Sequence, residues 1–277
     1  MCGNERPSIE AREANGILAH LRSLVQHRDL LLTLTLRDLQ VRYQQTFLGV
    51  AWAVAQPLAF MVILSLLKVI VFGEAKSEGV PHAIFIYCAM VPWVFFQNSL
   101  TFATTSLSVN MNLVKKIYFP RELFPLSTIL ACLVDFVIAL SLVGGMMAHN
   151  HVPFTISLLW LPLLMAVELV FVLSVGLLTA ALNVFYRDIQ YLIPLGAQLL
   201  FFISPVFYSA RQIPESLQSW YLLNPLVVVI DGFRRAILHG TGPELGLLLV
   251  CVGIVGSGFV LAYAYFKHVE PRFADLI

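Results

Sequence analysis

Apolar residues in this chain fall into long blocks separated by short polar breaks, near 47–72, 83–108, 122–147, 155–182, 189–208 and 245–266. Most of these blocks exceed the ~18 residues that mark a membrane span. They are too continuous for barrel strands, whose apolar and polar positions alternate over about ten residues. A helix is then the structure that satisfies every backbone group within one segment. The pattern predicts an all-α integral membrane protein with six transmembrane helices.

Two stretches do not fit the block pattern. In residues 27–46, Leu32, Leu36, Leu39 and Tyr43 recur at steps of four, three and four, and Asp29, Thr33, Arg37, Gln40 and Gln44 occupy another face. This is an amphipathic helix, read as lying flat on the membrane interface, with a soluble packing helix as the plainer alternative. In residues 211–238 the apolar pieces Leu217–Leu223 and Leu226–Ile230 are each too short to cross, and Asn224-Pro225 separates them. Short re-entrant helices outside the six spans explain this stretch best. A seventh crossing is the alternative, and it would move the C-terminus to the other side.

Composition agrees with a lipid solvent. Of 277 residues, 59% are hydrophobic and 12% charged, more apolar surface than a soluble domain of this length hides. The net charge of +1 is uninformative by itself, because the signs sort by side. Twelve bases flank one side: Arg6, Arg12, Arg22, Arg28, Arg37, Arg42, Lys115, Lys116, Arg121, Arg187, Lys267 and Arg272. Four flank the other: Lys76, Arg211, Arg234 and Arg235. The positive-inside rule then places both termini in the cytoplasm. Residues 1–45 contain acids and arginines and no long apolar core, which argues against a cleavable signal peptide. The organisation expected is a single domain over 1–277: a cytoplasmic segment 1–46, a membrane domain 47–266 that includes 211–238, and a cytoplasmic tail 267–277.

No reaction chemistry is written in the chain. It has no phosphate-binding Gly-rich loop, HExxH, paired CxxC or Gly-x-Ser-x-Gly. Cys2, Cys88, Cys132 and Cys251 lack metal or disulfide spacing, and three of them lie in apolar runs. No cofactor or metal is expected, nor a nucleic-acid partner. Two acids fall near mid-membrane, Asp135 and Glu168. A proton relay and buried structural packing are both open to them, and packing is favoured.

Several short motifs run in order along the chain. They are Arg37-Asp38-Leu-x-Val-Arg-Tyr43, Leu48-Gly49, Trp52 to Gln56-Pro57-Leu58, Lys116-x-x-Phe-Pro-Arg-Glu122, Asn183-x-x-x-Arg-Asp188, Ser204-Pro205-Val-Phe-Tyr208, Asn224-Pro225 and Phe233-Arg234. In this order, from Asp29 to Phe266, the chain resembles the ABC-2 type permeases that export polysaccharides such as O-antigen, capsular polysaccharide or teichoic acid. The resemblance implies a homodimer in the bacterial inner membrane, working with two ATP-binding-cassette subunits that bind ATP and Mg and moving a lipid-linked glycan.

The same resemblance implies an ATPase-docking surface from Arg37, Arg42, Asn110, Lys115, Lys116, Tyr118, Arg187 and Asp188. Aromatic faces suit a sliding sugar polymer, and Tyr87, Trp93, Phe95, Phe96, Phe102, Phe201, Phe202 and Phe207 are the candidates, against the plainer reading of lipid-facing or belt residues. A lipid diphosphate needs cations; Arg42 and Lys116 on the inner side, and Arg211, Arg234 and Arg235 on the outer side with the re-entrant helices, are the candidates. The competing class is a membrane-embedded enzyme of polyprenyl-linked glycan assembly, which would need acids or bases clustered at one face. A purely structural scaffold ranks last.

Overall fold

The computed structural model describes residues 27–73, 76–77, 80–111, 113, 120–210, 213–214 and 221–273. Among these residues eight α-helices follow in order: α1 (Arg28–Tyr43), α2 (Trp52–Phe72), α3 (His82–Val109), α4 (Leu123–His149), α5 (Leu161–Phe185), α6 (Ile189–Ile203), α7 (Pro225–Arg234) and α8 (Leu245–Val269). A two-residue antiparallel ladder, β1 (Lys76–Ser77) with β2 (Val80–Pro81), joins α2 to α3. The architecture is otherwise helical.

Among the described residues five segments are long and apolar enough to cross a membrane: Gly49–Ile70, His82–Val109, Leu123–His149, Ile156–Phe185 and Leu245–Arg272. The fifth expected span, 189–208, forms a helix shorter than its apolar run. The helix α6 has 15 residues, roughly 22 Å at 1.5 Å per residue against a hydrocarbon core of about 30 Å. It stops because Pro205 disfavours helical backbone at the residue before it, and Ser204 is accordingly extended, with ψ 149°. The helix α7 has ten residues. Its Asn224-Pro225 is a start signal as well as a break: the Asn224 side chain accepts from the Leu226 amide, and Pro225 opens the helix with φ already set.

The helix α3 is the centre of the bundle. Its apolar stretch is 78% buried, against 11% for Gly49–Ile70, so α2 keeps most of its surface for lipid or another chain. Close packing of α3 on α5 rests on small residues: a Cβ on Gly176 would stand 3.0 Å from the Ala103 methyl, and Thr104 and Thr179 hydroxyls share a 2.8 Å hydrogen bond. Lipid gives little drive for helices to associate, and small side chains with polar links supply it. Glu168 is fully buried on α5, and neither of its oxygens has a hydrogen-bond partner among the described residues.

Two hydrophobic clusters divide the bundle lengthwise. The larger runs from mid-bundle to the α7 end, through Ile84, Phe136, Val172, Ile230 and Phe233. The smaller gathers Leu34 of α1 with Leu107, Leu123, Leu177, Phe266 and Phe273, and so ties α1 to the ends of α3, α4, α5 and α8. Leu32 and Leu36 of the expected apolar stripe are exposed, and α1 meets the bundle through Leu31, Leu34, Thr35, Asp38 and Arg42. The helix therefore has three sides: a polar one, an apolar one, and a mixed one whose polar groups find partners on the bundle.

Candidate functional site

A cavity of about 220 Å³ opens between α1, α2, α3 and α4. Arg42 and Tyr43 reach into it from the last turn of α1, Trp52, Ala53, Gln56 and Pro57 from the first turns of α2, Phe95, Asn98 and Phe102 from α3, and Cys132, Asp135 and Phe136 from α4. The end of α1 must stop there for this to work: Gln44 is already extended, and the chain turns through Gln45 and Gly49, both with positive φ, before α2 begins. A left-handed glycine is the low-strain residue at such a turn.

Asp135 is the hub of the cavity. Arg42 forms an ion pair with its carboxylate, and Tyr43 donates to the other oxygen at 2.5 Å. The guanidinium also meets the Cys132 sulfur at 3.4 Å and lies 4.4 Å from the centre of the Phe102 ring. Burial, followed by the bond to Asp135, pushes the Tyr43 phenol well above its ordinary range, so it remains a donor. Higher up, Asn98 donates to Gln56 across a long 3.4 Å contact. Pro57 has no N–H, so the Ala53 carbonyl loses its helical i+4 donor, and both residues line the cavity.

The α1 end of the bundle also carries a charged network. Lys267 donates to Glu122 at 2.7 Å and to Glu270 at 3.0 Å, Tyr263 donates to Glu122 at 3.3 Å, and the Arg121 amide donates to Glu270 at 3.2 Å. Arg37 pairs with Asp38 at 2.8 Å, and Asp38 accepts from Ser127 on α4. Asn110 caps α3 by donating to the Ser106 carbonyl at 2.8 Å. Asn183, 2% exposed, donates to Ser108 and accepts from the Gln190 amide, which fixes the α5–α6 turn. Arg187 and Asp188 stand exposed on that turn and make no ion pair among the described residues. Lys115, Lys116 and Tyr118 lie outside the described residues.

The aromatic candidates separate into three groups. Tyr87, Trp93, Phe95 and Phe96 are buried, with Phe95 also on the cavity wall. Phe102 is 37% exposed beside Arg42. Phe201, Phe202 and Phe207 form a ring cluster at the other end of α6, with centroids 5.5–6.4 Å apart, and Phe201 touches Trp93 and Phe60.

Arg234 is the buried cation of the α7 end. It donates to the carbonyls of Tyr208 at 2.9 Å, Val206 at 2.5 Å and Phe85 at 3.3 Å, and lies 3.7 Å from the Phe85 ring centre. These partners occupy the guanidinium where the sequence suggested a headgroup contact. Arg235 pairs with Asp231 and Glu244, each at 2.6 Å. Arg211 lies outside the described residues. Among the described residues no group of three or more His, Cys, Asp or Glu side chains is placed to hold a metal ion.

Sequence reasoning found Arg42 and Asp135 separately and missed that they meet; they are 93 positions apart, and no periodicity links them. It also passed over Gln56, Asn98 and Trp52 as cavity residues and Glu122 and Lys267 as a pair. A polar amide inside an apolar run was the available signal for the first two.

Residues 29–238 match the family model described as ABC-2 type transporter. The chain is 31% identical over 261 residues to an O-antigen export system permease protein RfbA of Klebsiella pneumoniae, covering 90% of this chain and 95% of that one. It is 29% identical over 261 residues to the protein of the same name from Myxococcus xanthus, covering 93% and 98%. A polysialic acid transport protein KpsM of Escherichia coli is 25% identical over 216 residues, covering 75% and 80%. With its set of long apolar helices and a match spanning most of its length, the chain belongs to the ABC-2 type transporter family.

Proposed function

We propose that this chain is the membrane permease of an ATP-driven exporter that carries a lipid-linked cell-surface polysaccharide out of the cytoplasm across the bacterial cytoplasmic membrane. The observation that carries the reading is near full-length similarity to permeases named for O-antigen export, in a bundle whose α1 end holds a polar cavity.

In this reading the α1 end faces the cytoplasm, as the distribution of Lys and Arg favours. Six spans then cross, with α6 and the buried turn at Ser204–Val206 together making the fifth. Non-helical backbone at membrane depth is tolerated where protein covers it, and Ser204 and Val206 are fully buried. The helix α7 is re-entrant from the outer side. Exposed apolar side chains such as Ile63 and Ile70 on α2 and Leu195 and Leu199 on α6 face lipid and a second copy of the chain. Two ATP-binding-cassette subunits hold ATP and Mg and dock against α1 and Arg37, Asn110 with the segment around Lys115, Lys116 and Tyr118, and the turn with Arg187 and Asp188. Arg42 acts from within, tying α1 to α4. Closure of the ATPases on ATP moves this surface and biases the permease pair toward an open path. Exposed Phe102 and Phe202, with the half-buried Phe201 and Phe207 packed beside Phe202, are the aromatics on which sugars would stack.

Deleting the gene should leave a lipid-linked polymer on the cytoplasmic face of the membrane, identifiable by mass spectrometry after extraction. Unchanged surface glycan in the deletion strain would overturn the reading. Replacing Lys115, Lys116 and Tyr118 together by Ala should abolish co-purification of the ATPase subunit, and normal assembly would place docking elsewhere.

A further inference from the structure

We infer that the cavity between α1, α2, α3 and α4 is a binding subsite for one neutral sugar ring of the exported polymer, an assignment that rests on the export reading. Size limits the occupant first. At about 220 Å³ the cavity is below the ~300–1,000 Å³ of sites for drug-sized ligands, so it takes one small ring and not a run of them.

Chemistry limits it next. The walls combine aromatic faces, Trp52 and Phe102, with the amides of Gln56 and Asn98. The single contact between those amides is 3.4 Å long, and among the described residues the Gln56 nitrogen and the Asn98 carbonyl have no other partner. Both amides are half-buried and line the cavity, so their free donor and acceptor open into it. A ligand dense in hydroxyls meets such donors and acceptors while its C–H faces rest on the rings.

Charge decides between a sugar and the phosphate of a lipid carrier. Arg42 is committed to Asp135, Cys132 and the Phe102 ring. A phosphate would have to displace the Asp135 carboxylate from the guanidinium and then sit beside it, like charge against like. A neutral hydroxyl bonds to the remaining lone pairs of Asp135 without breaking the pair.

The test is photocrosslinking in cells that synthesise the polymer, with a benzophenone amino acid placed in the full-length permease, assembled with its ATPase. After mild acid splits the polymer from its carrier diphosphate, a probe replacing Ala53, which lines the cavity, should retain a permease adduct that is sensitive to periodate and contains phosphate-free hexose-type masses. The same probe at Ile63, exposed on α2, should give none. The Gln56→Leu, Asn98→Leu double variant should reduce export about tenfold, with permease level and ATPase co-purification unchanged. Export that continues with no adduct at position 53 overturns the subsite and leaves the export reading standing. An adduct that keeps the carrier's phosphate after that cleavage overturns the neutral-sugar assignment. Normal surface glycan in the deletion strain removes the export reading and the subsite with it.

Discussion

At the α1 end of the bundle half-buried cations meet carboxylates, Arg42 with Asp135 and Lys267 with Glu122 and Glu270, while the Arg121 side chain donates to the Glu270 carbonyl. At the α7 end Arg234, only 3% exposed, is held by carbonyls of Phe85, Val206 and Tyr208 and by an aromatic face. The difference follows from what each end lacks. Pro205 ends α6 early and leaves backbone acceptors at depth, and a guanidinium with five donors can serve several of them at once. At the α1 end Pro57 frees the Ala53 carbonyl, but α2 runs on through it as one helix. The helix ends there are tied by side-chain pairs between elements, which can part and re-form without disturbing any helix's own backbone bonds. Under the proposed export function, a fixed clamp at one end and side-chain ties at the other would suit a bundle driven from the α1 side.

The largest effect should come from breaking the clamp. Arg234→Met leaves buried carbonyls unmet and should destabilise the permease by roughly 3 kcal/mol or more. Thermal unfolding in detergent would register this, with new protease cleavage between 204 and 210. Arg234→Lys should recover less than half of the loss, because an ammonium cannot span the same carbonyls. Full recovery by Lys would mean that charge, and not the fork, holds this end.

Asp135→Asn comes second. It removes the charge opposite Arg42 while keeping an acceptor for Tyr43. Because Arg42 and Asp135 side chains are 19% and 16% exposed, the cost should be about 1–3 kcal/mol, short of that for a fully buried pair. The Arg42→Met, Asp135→Leu double variant should be markedly more stable than either single change predicts, since removing both partners leaves no stranded charge. Additive losses in that cycle would show that the two residues are not coupled, and the contrast between the ends would fail.

The parts of this design differ in how visible they are along the chain. Span-length apolar runs and the Asn224-Pro225 start are local, and five crossing-length helices and α7 lie where those runs and that start signal put them. The end of α6 was misplaced by several residues: its apolar run continues to Tyr208, while the helix stops at Ile203 because of a proline inside the run. For α1, periodicity located an apolar stripe but did not reveal the mixed side, with Leu34 and Asp38, that packs on the bundle. Arg234 and Arg235 are adjacent and identical in type, yet one is buried and the other paired near the surface. Only the turn of the helix and the position of Tyr208 separate them, and neither is written locally. Cavities need several elements at once, which is why Gln56 and Asn98 gave no shared signal.

Glu122 offers a smaller test at the α1 end. Its side chain is 4% exposed and accepts from Lys267 and Tyr263, so Glu122→Gln should cost about 1–2 kcal/mol, with Lys267 keeping Glu270 as a partner. If the tie transmits motion, the variant should also couple poorly: ATPase activity of the assembled complex should persist while polymer export falls. A matching fall in both would reduce the network to simple stability.

The smallest effect is expected at Arg235, and it sharpens the comparison because it lies beside the clamp. Its side chain is 22% exposed, and its partners Asp231 and Glu244 are 31% and 53% exposed. Pairs this open are screened and lose side-chain entropy on forming, so Arg235→Ala should cost no more than about 1 kcal/mol. Raising salt from low to high should shrink the difference between wild type and variant. Arg234→Met, measured in the same salt series, should show almost no dependence, because its partners are buried carbonyls and not exposed ions. If Arg235→Ala proves as damaging as Arg234→Met and as insensitive to salt, stability at the α7 end is shared across both arginines, and a single carbonyl clamp no longer explains how that end is held.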